Sequence, residues 1–182
     1  NGLSINEIFC ASNVNDVLTR FISTGKLEPK ETIPSVAPSM DIQIPSSLER
    51  LIYNFEGDSS SFYDQLQNEK IAKLSEESVV KLQNIFSSLS FNDEVILKEI
   101  DLFYKNYGWV IDPHTATALS SSVTFSSTLP VVGVATASPE KFSDVISKTI
   151  DEFRVENTKN EEKYFVEKAN SSLVENTIKE CL

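Results

Sequence analysis

Apolar positions recur at helical spacing twice in the first third of the chain. In "VLTRFISTG", Val17, Leu18, Phe21 and Ile22 form one stripe beside Arg20, with Asn and Asp at the start and Gly25 at the stop. In "LERLIYNF", Leu48, Leu51, Ile52 and Phe55 share a face behind a Ser46–Glu49 capping box. Ahead of the first helix, "INEIFCAS" reads as a short apolar strand. Between the two helices, "LEPKETIPSVAPSMDIQIP" carries four prolines. It reads as extended loop, because proline cannot continue a helix or donate to a ladder. Helical periodicity resumes in "ESVVKLQNIFSSL" and "FNDEVILKEIDLFYKNY", so residues 57–106 are expected to form a helical excursion.

The pattern changes after Gly108. "WVI" is a short strand candidate, followed at once by Asp112 as cap, Pro113 at the first helical position and a helix through "HTATALSSS". "LPVVGVAT" is a continuous β-branched run of the kind buried on both faces of a parallel sheet. "ASPEKFSDVISKTIDEF" then predicts a helix capped by Ser138, with Pro139 at its start and Phe142, Val145, Ile146, Ile150 and Phe153 on the buried stripe. Three strand-to-helix units argue an α/β fold, a mostly parallel sheet flanked by helices, whose ligands bind beyond the carboxyl ends of the strands. Those ends are "ASN", "DPH" and "TAS". A charged connector and a last helix with Leu173, Val174 and Ile178 close the chain.

Charge narrows the partners. With 27 acidic against 16 basic residues, the 182-residue chain has a formal charge of -11, which repels phosphate backbones and anionic lipid. Neither nucleic acid nor membrane is expected as a partner. "NGLSINEIFC" lacks the character of a signal peptide, so the expected location is cytoplasmic. Cys10 and Cys181 have no metal-ligand or CxxC spacing and read as structural thiols; no metal site is expected. The chain begins at Asn rather than Met and reads as a single partial domain, 1–182, of something longer.

Four stretches, "ASNVNDVLTRFISTG", "PSMDIQIPSSLERLIY", "WVIDPHTATAL" and "VATASPEKF", together resemble, in the same order, the C-terminal part of threonine synthases of the bacterial and fungal type. "GLSI" at residues 2–5 is similar to the segment before the first strand in that family. The resemblance implies the tryptophan synthase β-subunit-like fold, with this chain as the C-terminal part of its large domain. It also implies a pyridoxal-phosphate enzyme that converts O-phosphohomoserine and water into threonine and phosphate. The family's Schiff-base lysine and glycine-rich phosphate loop lie upstream of the matched region. The five scattered glycines here build no phosphate cradle, which needs clustered backbone N–H groups. The expectation is therefore an inactive portion that requires its missing N-terminal half.

By the same resemblance, Thr136 approaches the pyridine nitrogen of the cofactor, where a neutral hydroxyl leaves that nitrogen less basic than a carboxylate would. Spacing alone makes it a strand-end residue that starts a turn. Asp112 matches the D-P-H-T-A motif and is either a helix cap or a group over the cofactor edge. His114, the chain's single histidine, sits in a first helical turn where a cation is disfavoured. It is expected to be a neutral hydrogen-bonding wall residue. Asn13, Asn15 and Asp16 match N-x-N-D, with helix capping as the simpler role. Ser39 and Asp41 match a loop near the site. Arg20 and Arg50 match family positions that could face anionic substrate, or are packing and solvated arginines. Ser138 stands where the family usually has His. Two other functions fit the pattern: a phospholyase acting on a related amino-alcohol phosphate, and a non-catalytic interaction module.

Overall fold

The computed structural model describes residues 5–121 and 130–154. Leu173, Val174, Ile178 and Cys181, residues 2–4 of "GLSI" and nearly all of the charged connector lie outside them. Strand β1 (Ile8–Ser12) leads into helix α1 (Val17–Thr24), which ends on Gly25 in the left-handed region at φ 69°. A Cβ at Gly25 would collide with Val79 Cγ2, so both the backbone sign and the packing require glycine there. A two-residue strand β2 (Lys26–Leu27), the proline-rich loop with a 3-10 turn at Pro38–Met40, and helices α2 (Leu48–Glu56) and α3 (Ser60–Glu69) follow. Strand β3 (Ala72–Lys73), helix α4 (Glu76–Gln83), strand β4 (Phe86–Ser90) and helix α5 (Asp93–Tyr107) complete the stretch expected to be helical. Helices α6 (Pro113–Ser120) and α7 (Ser143–Ile146) come last, with a 3-10 turn at Pro139–Phe142 before α7.

The fold class is as expected, α/β with parallel strands flanked by helices. β1 and β4 pair in parallel from Ile8 against Phe86 to Ser12 against Ser90, and β2 and β3 pair antiparallel. Several local expectations differ. β4 lies where a continued helix was expected. "FSSLS" has weak propensity of its own, and its strand state comes from the ladder with β1 and from hydroxyl bonds. Ser88 Oγ donates to the Cys10 carbonyl at 2.5 Å and lies 2.8 Å from Thr19 Oγ1. "WVI" forms no ladder among the described residues; Trp109 is 74% exposed while Val110 and Ile111 pack inward. Residues 130–136 also pair with no strand among the described residues, and Val131, Val132 and Val134 stand 57%, 83% and 67% exposed instead of buried. The Ser46–Glu49 box does not form, since α2 starts one residue later on Ser47 without a side-chain cap. The long helix expected after Ser138 is reduced to the 3-10 turn and one turn of α7, although Ile146 and Ile150 are buried as the stripe required.

Two apolar clusters hold these elements. The first joins Val17, Phe21, Ile22, Leu48, Ile52, Phe62, Leu66 and Leu82 across α1 to α4. The second joins Ile96 and Ile100 of α5, Ala116 of α6, and Ile146 and Ile150. The carboxyl end of β1 and the N-terminus of α6 carry buried polar side chains, Asn13 and Asn15 at the first and Asp112 and His114 at the second.

Candidate functional site

Asn13 follows β1 directly and is fully buried. Its amide nitrogen donates to Asp41 Oδ1 at 2.6 Å, to Ser35 Oγ at 2.6 Å and to the Ala37 carbonyl at 3.3 Å. Its carbonyl oxygen accepts from the Asn15 N–H at 2.9 Å. Asn15 donates to the Ile33 carbonyl at 2.8 Å and to Asp41 Oδ1 at 3.0 Å, and accepts from the Ile33 N–H at 2.8 Å. Asp41 also takes the Ser35 N–H at 3.0 Å and the Ser35 hydroxyl at 2.7 Å. The two asparagines thus do not cap α1. They hold the proline-rich loop against the end of β1, because a buried amide must find both donors and acceptors and this loop offers them.

Asp112 caps α6. Its Oδ1 accepts from the backbone N–H of His114 at 2.9 Å and of Thr115 at 3.4 Å, and the Thr115 hydroxyl donates to Oδ2. The same Oδ1 lies 2.9 Å from His114 Nδ1. Burial acts to raise the Asp112 carboxyl, but the bonds from His114 and Thr115 outweigh it and hold the group below the usual carboxylate value. On the far side of the ring, His114 Nε2 accepts the Ser39 N–H at 3.1 Å. An acceptor at Nε2 leaves Nδ1 as the nitrogen that faces Asp112 Oδ1. Phe142 lies on the imidazole with ring centroids 4.6 Å apart.

Asn13, Asn15, Ser39, Asp41, Asp112 and His114 therefore form one connected region, joined through the loop. The remaining candidates lie outside it. Asp16 starts α1 without capping it through its side chain, and pairs instead with Arg20 at 2.9 Å. Arg20 also donates to the Glu28 carbonyl at 2.8 Å, and its buried Nη2 has no partner among the described residues. Arg50 is exposed on α2, beside an open cleft of about 350 Å³ shared with Glu49, Tyr53, Asn54 and Ser59. Ser138 precedes the 3-10 turn without a side-chain cap bond. Thr136 is exposed at the end of the 130–136 segment and has no hydrogen bond among the described residues. That segment rests on α6 at Gly133, where a Cβ would meet Leu119 Cδ2 at 3.0 Å.

Sequence reasoning did not find Ser35, which donates to Asp41, accepts from Asn13 and takes the Ala37 N–H at 3.1 Å. A serine three residues before a proline carries no signal of that role. Every described lysine is exposed, so none sits where desolvation would favour imine chemistry. Among the described residues no group of three His, Cys, Asp or Glu is placed to hold a metal, and no helix is long and apolar enough to cross a membrane.

No family model matches the chain. It is 32% identical to a threonine synthase of Pseudomonas aeruginosa over 153 residues, 81% of this chain and 33% of that protein. It is 31% identical to threonine synthase-like 1 of Macaca fascicularis over 172 residues, 91% of this chain and 23% of that protein. The fold matches the PLP-bound threonine synthase of Brucella melitensis at a TM-score of 0.81 and 26% identity, covering 98% of this chain and 41% of that one. The yeast threonine synthase shares the fold at a TM-score of 0.75 and 23% identity, over 98% of this chain and 42% of that one. Through these matches the chain is identified as a homologue of the threonine synthases, sharing the fold of those pyridoxal-phosphate enzymes while spanning between about a quarter and two fifths of their length.

Proposed function

We propose that this chain forms one wall of the cofactor site of a threonine synthase that converts O-phosphohomoserine and water into threonine and phosphate. In this reading the wall consists of Thr136, Asp112, His114 and Asn13. The missing N-terminal half of the enzyme brings the lysine and the phosphate-binding loop, and the chain alone is inactive. The exposed valines at 131, 132 and 134 support such a partner, since a β-branched run of this kind needs a neighbouring strand.

Hydrogen-bonding capacity supports a division of labour within the wall. Both oxygens of Asp112, both nitrogens of His114 and the whole amide of Asn13 are already engaged inside the chain. Thr136 alone of the four brings a hydroxyl with no partner among the described residues. The donor set fits pyridoxal phosphate in that respect: a neutral hydroxyl suits the pyridine nitrogen, and the one carboxylate of the four, Asp112, is engaged by His114 and Thr115 rather than free to hold that nitrogen protonated. When bound, the cofactor supplies the electron sink for chemistry at the amino-acid carbons. Thr136 would orient the ring, and the Asp112–His114 and Asn13–Asp41 pairs would hold the surface that carries it.

The observation that carries the reading is the meeting of three matched motifs, through Asn13, Ser39 with Asp41, and Asp112 with His114, in one region of a fold shared with a PLP-bound threonine synthase; from the fourth motif Phe142 reaches that region and Thr136 lies outside it. In the whole enzyme, Thr136→Val leaves the ring nitrogen without a partner and should slow turnover by about one to two orders of magnitude. Thr136→Ser should keep most activity. A Thr136→Val enzyme at full rate would overturn the assignment. A phospholyase reading draws on the match to threonine synthase-like 1, which extends over 91% of the chain. Product analysis separates them: threonine with phosphate supports the synthase, and phosphate without threonine supports the phospholyase.

A further inference from the structure

The proline-rich loop between β2 and α2 makes no ladder among the described residues, and side chains fasten it instead. Arg20 holds the Glu28 carbonyl, the Asn13–Asn15 clasp holds Ser35, Asp41 and Ile33, and Asp93 Oδ1 of α5 accepts the Val36 N–H at 3.2 Å. Its contact with α6 is a bond from the Ser39 N–H to His114 Nε2, 3.1 Å long, made by a residue that is otherwise exposed. This bond to α6 exists in one tautomer only. With the proton on Nε2, two donors would face each other and the turn at Pro38–Met40 would lose its contact.

Three features fix the tautomer that is needed. Asp112 Oδ1 stands 2.9 Å from Nδ1 and accepts its proton. Asp112 is itself held by the α6 N–H groups and the Thr115 hydroxyl, so it cannot swing away. Phe142 packs on the ring and opposes a flip that would put Cδ2 and Cε1 where the two nitrogens stand. We infer that His114 is a positioning residue, a latch whose Nε2 docks the Pro38–Met40 turn onto α6 because Asp112 keeps the ring proton on Nδ1. The latch sets where the loop carrying Asp41 sits relative to α6. That placement serves the cofactor wall proposed above, while the latch itself needs no cofactor.

His114 is the chain's single histidine, so isotope labelling of histidine in the full 182-residue chain reports one ring. The nitrogen spectrum should show a neutral imidazole protonated at Nδ1. A ring protonated at Nε2 would overturn the inference without any variant being made. Hydrogen exchange over residues 36–42 gives the second measurement. His114→Asn reaches only the Nδ1 position and should raise exchange at Ser39 by about tenfold, the equilibrium weight of one net hydrogen bond. His114→Gln carries an oxygen out to the Nε2 position and should retain most of the protection. Phe91, whose N–H bonds the Ser12 carbonyl at 2.9 Å, reports whether the β1–β4 region is intact in each variant. Equal exchange at Ser39 in the wild type and His114→Asn, with Phe91 protected, would show that no latch exists. Because pyridoxal phosphate is absent from both measurements, failure of the cofactor reading leaves them unchanged.

Discussion

Asp112 and Thr136 both lie in motifs matched to one family, yet their surroundings are opposite. Asp112 is 1% exposed and every strong donor around it belongs to this chain. Thr136 is exposed, follows three outward-facing valines and engages no described group. The contrast divides the proposed wall into a finished part and an unfinished part. The finished part is preorganised, because its hydrogen bonds are satisfied before any ligand arrives. The unfinished part has no partner among the described residues, and its exposed side chains contribute little to the stability of the chain that carries them.

Substitution tests the contrast most strongly at the buried end. Asp112→Ala strands the His114 and Thr115 N–H groups, the Thr115 hydroxyl and the imidazole proton. It should cost about 3 kcal/mol in urea unfolding of the chain. Thr136→Val in the same assay should stay within about 0.5 kcal/mol of wild type. Equal losses at the two positions would break the division between finished and unfinished parts.

Acid sharpens the same point with a smaller effect. The Asp112 carboxyl titrates lower in the folded chain than when unfolded. The unfolded state therefore binds its proton first as pH falls, and the stability that this group contributes is full above about pH 4. It is lost as pH drops through the lower, folded value. Asp112→Asn should flatten that part of the stability profile below about pH 4, measured by denaturant midpoints at successive pH values. A profile unchanged by the substitution would place the acid sensitivity elsewhere.

The smallest effect belongs to the exposed valines. Val132→Lys replaces a side chain that is 83% exposed, so the unfolding midpoint should move by no more than about 0.5 kcal/mol. Self-association by light scattering should fall, because the apolar strip is interrupted by charge. A large loss of stability instead would mean that Val132 is packed within the chain.

Much of the fold was legible because amphipathic helices announce themselves locally. The Val17–Ile22 and Leu48–Phe55 stripes, the Gly25 stop and the Asp112–Pro113 helix start depend on neighbours within a turn or two, and all are present. β4 was not legible. Phe86–Ser90 becomes a strand through β1, 78 residues away in sequence at its Cys10–Ser88 pair, and nothing in "FSSLS" encodes that partner. The converse held for "LPVVGVAT", whose composition asks for a strand while no described strand pairs with residues 130–136.

The sequence by itself determined the α/β class, the two helical stripes, the cap at Asp112 and the family to which the motifs point. These rest on local periodicity, on backbone geometry at glycine and proline, and on residues only a few positions apart. Only the tertiary structure decided that Asn13 and Asn15 fasten a loop rather than cap a helix, that Ser35 joins them, and that His114 reaches Ser39. Each of those bonds spans between 18 and 75 positions of chain, and a buried polar group takes whichever partner the fold brings within about 3 Å of it.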